Sequence, residues 1–233
     1  MRKMQLFPMA LLCLCGLLTN QALSQTSFQL RCNRELPQAS IIVTEAEGPY
    51  SIHNNVSSRK LRTMSSKAYS TDYILGLTSR HSIIQIDFEG PMIEDKQNNQ
   101  ECFAPRIEIS MEHPAIDVYV SKEFPENSCV YNEILEHEMQ HVKLYKEKLP
   151  ALADLVRQEM SKRYANTPLI GPIGRTKEQL SEDINRTWMP FIKAELEKIE
   201  DLQAALDSED EYTRLSWSCL GQAQTILGFR DRH

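Results

Sequence analysis

The sequence has no CxxC pair, no internal repeat, no long low-complexity run and no excess of basic residues. The first absence disfavours a four-cysteine zinc site, which is normally assembled from two such pairs. The second and third leave no solenoid and no general disorder to consider. Basic residues number 26 against 32 acidic, a formal charge of −6, so the chain lacks the cationic footprint that nucleic acid requires. Beyond residue 24 no apolar stretch approaches the roughly 20 residues of a membrane-spanning helix, so the mature chain is expected to be soluble. What is present is the composition of a soluble domain, 41% hydrophobic, 25% charged and 7% aromatic over 233 residues, enough for one domain with its own core.

The first 24 residues read as an export signal. Arg2 and Lys3 precede an apolar run from Leu6 to Leu18, and Ala22-Leu23-Ser24 supplies a small-residue cleavage site. The expected mature chain, residues 25–233, loses two positive charges with the signal and belongs in the periplasm or outside the cell. It keeps Cys32, Cys102, Cys129 and Cys219, an even number that suits two disulfides in an oxidising compartment. Three connectivities are open; Cys32 with Cys102 and Cys129 with Cys219 is the one carried forward.

Residues 25–233 read as a single α+β domain, β-rich over 25–125 and helical over 129–233. Short β-branched runs at 41–44, 83–88, 106–110 and 116–120 predict strands, and the last two alternate with the period of a half-buried sheet. His113-Pro114-Ala115 between them suggests a hairpin turn. After Cys129 the periodicity is helical. One helix opens near Val130, and a second segment, 152–164, follows Pro150. The Pro- and Gly-containing stretch 166–175 reads as a loop. Thr176 and Gln179 form a capping-box pattern ahead of a long helix to about Leu206, bent at Pro190. Its apolar stripe runs through Leu180, Ile184, Trp188, Ile192, Leu196, Ile199, Leu202 and Leu206.

The chemically informative segment is His137-Glu138-Met139-Gln140-His141. Two histidines four residues apart project from one helical face, so their imidazoles can converge on one cation. Glu138, offset beside them, is placed to act as general base on water. Tyr145, Tyr212 and Arg214 are candidate donors to a developing oxyanion. His53, His81 and His113 have no ligand spacing and read as turn or surface residues. A catalytic metal still needs a third protein ligand.

Through its HExxH segment the chain resembles the zincin metallopeptidases. With the Asp117-Val118-Tyr119-Val120 strand and Cys129 ahead of that segment, it resembles a group of uncharacterised bacterial secreted proteins grouped with the zinc proteases. The resemblance implies a small sheet packed on the motif helix, a zinc ion, a peptide or protein substrate, and an edge strand that aligns it, with 116–120 or 106–110 expected as that edge. The metzincin pattern is disfavoured, because Leu144 and Glu147 stand where its Gly and third His belong. The gluzincin arrangement instead takes a Glu from a later helix. Stepping 100° per residue, Glu195 falls near the middle of the stripe and becomes the candidate third ligand beside His137 and His141. The alternative placement puts Leu196 in the core and pairs Glu195 with a surface cation. The expected function is zinc-dependent peptide hydrolysis; the rival is a non-catalytic periplasmic binding domain on the same scaffold, keeping zinc as a structural ion.

Overall fold

A computed structural model describes residues 26–65 and 73–228; the signal segment expected at 1–24 lies outside them. It opens with α1 (Ser27–Glu35), β1 (Ser40–Glu47), β2 (Tyr50–His53) and α2 (Ser58–Met64). Six strands follow: β3 (Gly76–Arg80), β4 (Ile83–Glu89), β5 (Met92–Asp95), β6 (Gln100–Phe103), β7 (Arg106–His113) and β8 (Ile116–Val120). The long α3 (Cys129–Tyr164), the short β9 (Leu169–Gly171), α4 (Thr176–Asp183), a π-helical turn (Ile184–Trp188), α5 (Met189–Leu206) and α6 (Glu209–Leu227) complete the chain. The α+β class is as the sequence implies.

The β-branched runs of the first half build three strand lines that bend together. β1 and β2 lie parallel to β7 and β8 in one uninterrupted register, Glu47 opposite His113 and Tyr50 opposite Ile116. β4 and β3 run antiparallel on the other side, Ile83 opposite Glu112 and Arg80 opposite Ile116. The breaks between strands, at residues 48–49, 81–82 and 114–115, fall at one level. Gly48 permits this, since a Cβ there would lie 1.9 Å from the Pro114 carbonyl oxygen. His113-Pro114-Ala115 is therefore a bend in one continuing strand line and not a hairpin turn: β7 and β8 pair with other strands and not with each other. This also corrects the expected substrate edge. Residues 106–110 and 116–120 are central, with neighbours on both sides, and β3 is an edge strand.

The remaining sheet, β5-β6-β9, draws its last strand from the stretch expected as loop. Its β6 supplies the true cap of α4. Thr176 does not close a capping box; its N–H and hydroxyl donate to Glu101 Oε1 at 2.8 and 2.7 Å, and the Gly174 N–H donates to Oε2 at 2.6 Å. Burial works against the Glu101 carboxylate, but these donors hold its pKa below the usual range.

Helix α3 runs unbroken through Pro150, so the segments expected on either side of that residue are one 36-residue helix, about 54 Å long. Ser128 caps it, accepting from the Tyr131 N–H. It crosses two apolar cores. Val130, Tyr131 and Ile134 pack with Leu75, Val120, Phe124 and Leu215; Val142, Leu149, Ala153, Val156 and Met160 pack with Ile107, Ile109, Met111, Trp188 and Ile192. His137, Glu138 and His141 sit at the seam between them.

Cys32 pairs with Cys102 and Cys129 with Cys219, the connectivity carried forward above. Two disulfides fit a protein outside the reducing cytoplasm. Among the described residues no helix is long and apolar enough to cross a membrane. The second disulfide ties the start of α3 to a break in α6, where Cys219, Leu220 and Gly221 have positive φ. Serine at both Cys129 and Cys219 is expected to lower the unfolding free energy by about 4–5 kcal/mol, the chain-entropy value for a separation of 90 residues. Urea melts of this double variant against the oxidised protein read the difference; a loss below about 1 kcal/mol would show that packing alone fixes this end of α6.

Candidate metal centre

The two motif histidines and one acidic residue converge. His137 Nε2 and His141 Nε2 lie 3.3 Å apart, and Asp207 Oδ1 is 3.1 Å from the first and 2.9 Å from the second. His137 and His141 are each 5% exposed. His137, His141 and Asp207 form a buried group able to hold a metal ion, the one such group among the described residues.

The far sides of the rings explain the need for a cation. Gln203 donates its Nε2–H to the His141 carbonyl at 3.1 Å, so its Oε1, 2.6 Å from His141 Nδ1, must accept from that ring. Glu211 Oε1, 3.2 Å from His137 Nδ1, accepts likewise. With both ring protons drawn to Nδ1, the two Nε2 lone pairs converge with one Asp207 carboxylate oxygen. Two buried imidazole lone pairs turned on one carboxylate oxygen form a pocket that a positive charge would stabilise. The triangle also has the right size: ligand atoms about 2.0–2.1 Å from a tetrahedral zinc are about 3.3 Å apart. The donor set fits a divalent metal.

The outer partners are themselves fixed. Arg214 grips Glu211 with Nε and Nη2 at 2.8 and 2.9 Å and reaches Glu133 at 3.0 Å. Its hydrogen bonds hold the Glu211 carboxyl below the usual range. For His141, burial pushes the pKa down, but Asp207 and the Glu138 charge outweigh it and the net shift is upward.

Glu138 stands beside the triangle, 5% exposed, its pKa raised by burial. The Thr78 hydroxyl on β3 lies 2.8 Å from its Oε2 and 3.1 Å from its carbonyl oxygen. Gly76 on the same strand makes the approach possible: a Cβ would come within 2.5 Å of Glu138 Oε1 and 2.8 Å of Ile134 Cγ2. β3, Glu138, His141, Tyr145, Glu200, Gln203 and Asp207 line a cleft of about 340 Å³.

The structure thus brings together His137, Glu138 and His141, and it does not bring Glu195 to them. The Glu195 carboxylate pairs with Lys198 at 2.6 Å, the alternative placement noted from sequence. It lies two helical turns, about 12 Å, before Gln203 on α5. Asp207, Gln203, Glu211, Thr78 and Gly76 are the site residues that sequence reasoning missed. Of the oxyanion candidates, Tyr145 lines the cleft, Tyr212 donates to the Tyr73 carbonyl at 2.8 Å, and Arg214 is held by Glu211 and Glu133. His81 is exposed and His53 pairs with Asp117. His113, expected in a turn or at the surface, is instead buried, which with the nearby Arg80 charge lowers its pKa to about 4. Comparison with family models, curated proteins and solved structures finds no match to the chain.

Proposed function

We propose that this chain is an exported zinc-dependent peptidase whose ion is held by His137, His141 and Asp207, with Glu138 as general base. The observation that carries the reading is the triangle of three acceptor atoms within 3.3 Å, closed on its outer side by Gln203 and Glu211. Two imidazoles and one carboxylate suit zinc, and three protein ligands leave a coordination position open for chemistry. When bound, such an ion supplies Lewis acidity and eases the deprotonation of water.

The chain's own groups do the rest. Thr78 anchors one Glu138 oxygen, leaving the other to take a proton and pass it to the leaving amine. Burial at the seam between two apolar cores keeps bulk water away from that carboxylate and strengthens its interactions. Asp207 and the outer acceptors hold the imidazoles in a fixed tautomer and orientation. β3 is paired on one side by β8 and lines the cleft, so an extended peptide can add to its other side with its backbone near Glu138.

The experiment is metal analysis of the purified chain with peptide hydrolysis before and after chelation. About one zinc per chain is expected, with turnover lost on dialysis against chelator and regained on adding zinc. A chain without stoichiometric metal, or turnover indifferent to chelation, would defeat the proposal. Metal bound without hydrolysis of any of a diverse peptide set would favour the non-catalytic binding domain.

A further inference from the structure

At the end of the cleft, one turn along α3 from His141, Arg80 lies over the Tyr145 ring at 4.4 Å from its centroid, with its side chain only 10% exposed. Its Nη1 is 3.2 Å from His113 Nε2, and its Nη2 is bound to Glu200 Oε1. The other Glu200 oxygen accepts from the Tyr145 hydroxyl at 3.3 Å. Arg80 Nε, which with Nη2 forms the side-on fork of the guanidinium, is buried and without a partner among the described residues. So is Ser82 Oγ, on the same wall of the cleft. Nδ1 of the fully buried His113 and Oε1 of Glu47, its register partner, also lack partners among the described residues but lie outside the cleft lining. His113 Nε2 faces a guanidinium, so it accepts and the orphaned Nδ1 carries the proton.

Arg80 Nε and Ser82 Oγ both belong to the cleft wall where the strand lines bend, and both can donate a hydrogen bond. A buried donor without an acceptor costs free energy, and two in one cleft wall mark a place suited to an acceptor. Glu200 fills only half the fork because Tyr145 holds its second oxygen. Its side chain is half exposed, free to swing into solvent. A carboxylate in its place would engage Nε and Nη2 together, the bidentate geometry that arginine favours.

We propose that Arg80, backed by Tyr145, Ser82 and His113, is a carboxylate-binding subsite of the cleft, with Glu200 as a displaceable counter-ion that a substrate carboxylate replaces. The assignment rests on the peptidase reading for its biological meaning, but its geometry stands apart from the metal triangle. The carboxylate can come from an acidic side chain or from the end of a peptide.

The test is calorimetric binding to the intact chain, as purified, in a Glu138→Gln background so that no turnover intrudes. The probes are acetyl-pentaalanine as free acid and as amide, and amides carrying Glu or Gln at each of the three central positions. At least one carboxylate peptide is expected to bind about tenfold or more tightly than its neutral counterpart. The acid and amide pair separates a terminal from a side-chain carboxylate. Glu200→Gln should tighten that peptide severalfold, an effect opposite to what a merely structural ion pair predicts, and Arg80→Gln should abolish the preference. Equal binding of charged and neutral peptides, or weaker binding in Glu200→Gln, would overturn the subsite; Glu200 is exposed enough for its variant to fold. A carboxylate preference in a protein that hydrolyses nothing leaves the subsite standing and removes the peptidase reading, whereas turnover without preference does the reverse.

Discussion

Glu138→Gln is expected to lower kcat for peptide hydrolysis by about 10²–10⁴-fold while zinc stays at one per chain. Glu138 lies beside the triangle of His137, His141 and Asp207 and contributes none of its three atoms, so removing its charge leaves the ligand set intact. The amide keeps a carbonyl oxygen for the Thr78 hydroxyl, and the main-chain carbonyl of residue 138 remains as that hydroxyl's second acceptor. Position is therefore preserved and only proton transfer is lost. KM should move little, because a group that acts in the transition state contributes to kcat and not to ground-state binding. Steady-state kinetics together with metal analysis read both halves. Turnover within a few-fold of wild type would remove Glu138 from the chemistry, and loss of zinc would show that it serves as a ligand.

The motif was legible because helical periodicity is local: four residues return a side chain to the same face whatever the rest of the chain does. The third ligand was not, and the reasons lie in particular residues. Leu180, Ile184, Trp188 and Ile192 recur every four residues, a longer spacing than the α-helical turn, and the chain keeps them on one face by widening into a π turn at 184–188. Pro190 follows in the first turn of α5, where a missing N–H is tolerated. Beyond it the buried positions are Ile192, Ile199 and Gln203, whereas Leu202, expected in the stripe, is 45% exposed. The buried face thus turns polar at Gln203 and continues to Asp207, one turn on. In the sequence the apolar stripe runs on through Leu202 and Leu206, so nothing local announces that Gln203 takes the buried position instead. The strands show the same division: residues 41–44, 83–88, 106–110 and 116–120 were visible as runs, yet β3, with Gly76, Thr78 and Arg80, has too polar a pattern to stand out and carries the wall of the site. Which strands pair is a non-local property, and the central place of β7 and β8 could not be read from their alternation.

Exchange of Asp207 for Ala is expected to weaken zinc binding by more than about 100-fold, and the same exchange at Glu195 to leave it unchanged within a factor of about two. Removing a partner of a metal ligand typically costs 10–100-fold, so loss of a ligand itself should exceed that range. The prediction follows from the antiparallel register of α3 and α5. Tyr145 meets Glu200, and one turn earlier on α3 His141 meets Gln203 and Asp207, so each step back along α3 is answered by a step forward along α5. Continued the other way, the register sets Leu196 at the level of Leu149, and the two line the same small gap. Leu196 and not Glu195 faces α3 at that level, and the Glu195 bond to Lys198 is an ion pair at the surface worth little to stability. Competition against a chromophoric chelator measures both affinities. The thermal midpoint gives a second reading, since an ion that binds only the folded chain raises it by mass action, and Asp207→Ala should lose most of the zinc-dependent rise. Retention of wild-type affinity in Asp207→Ala, or its loss in Glu195→Ala, would mean that the carboxylate at the turn between α5 and α6 is not the one that closes the triangle.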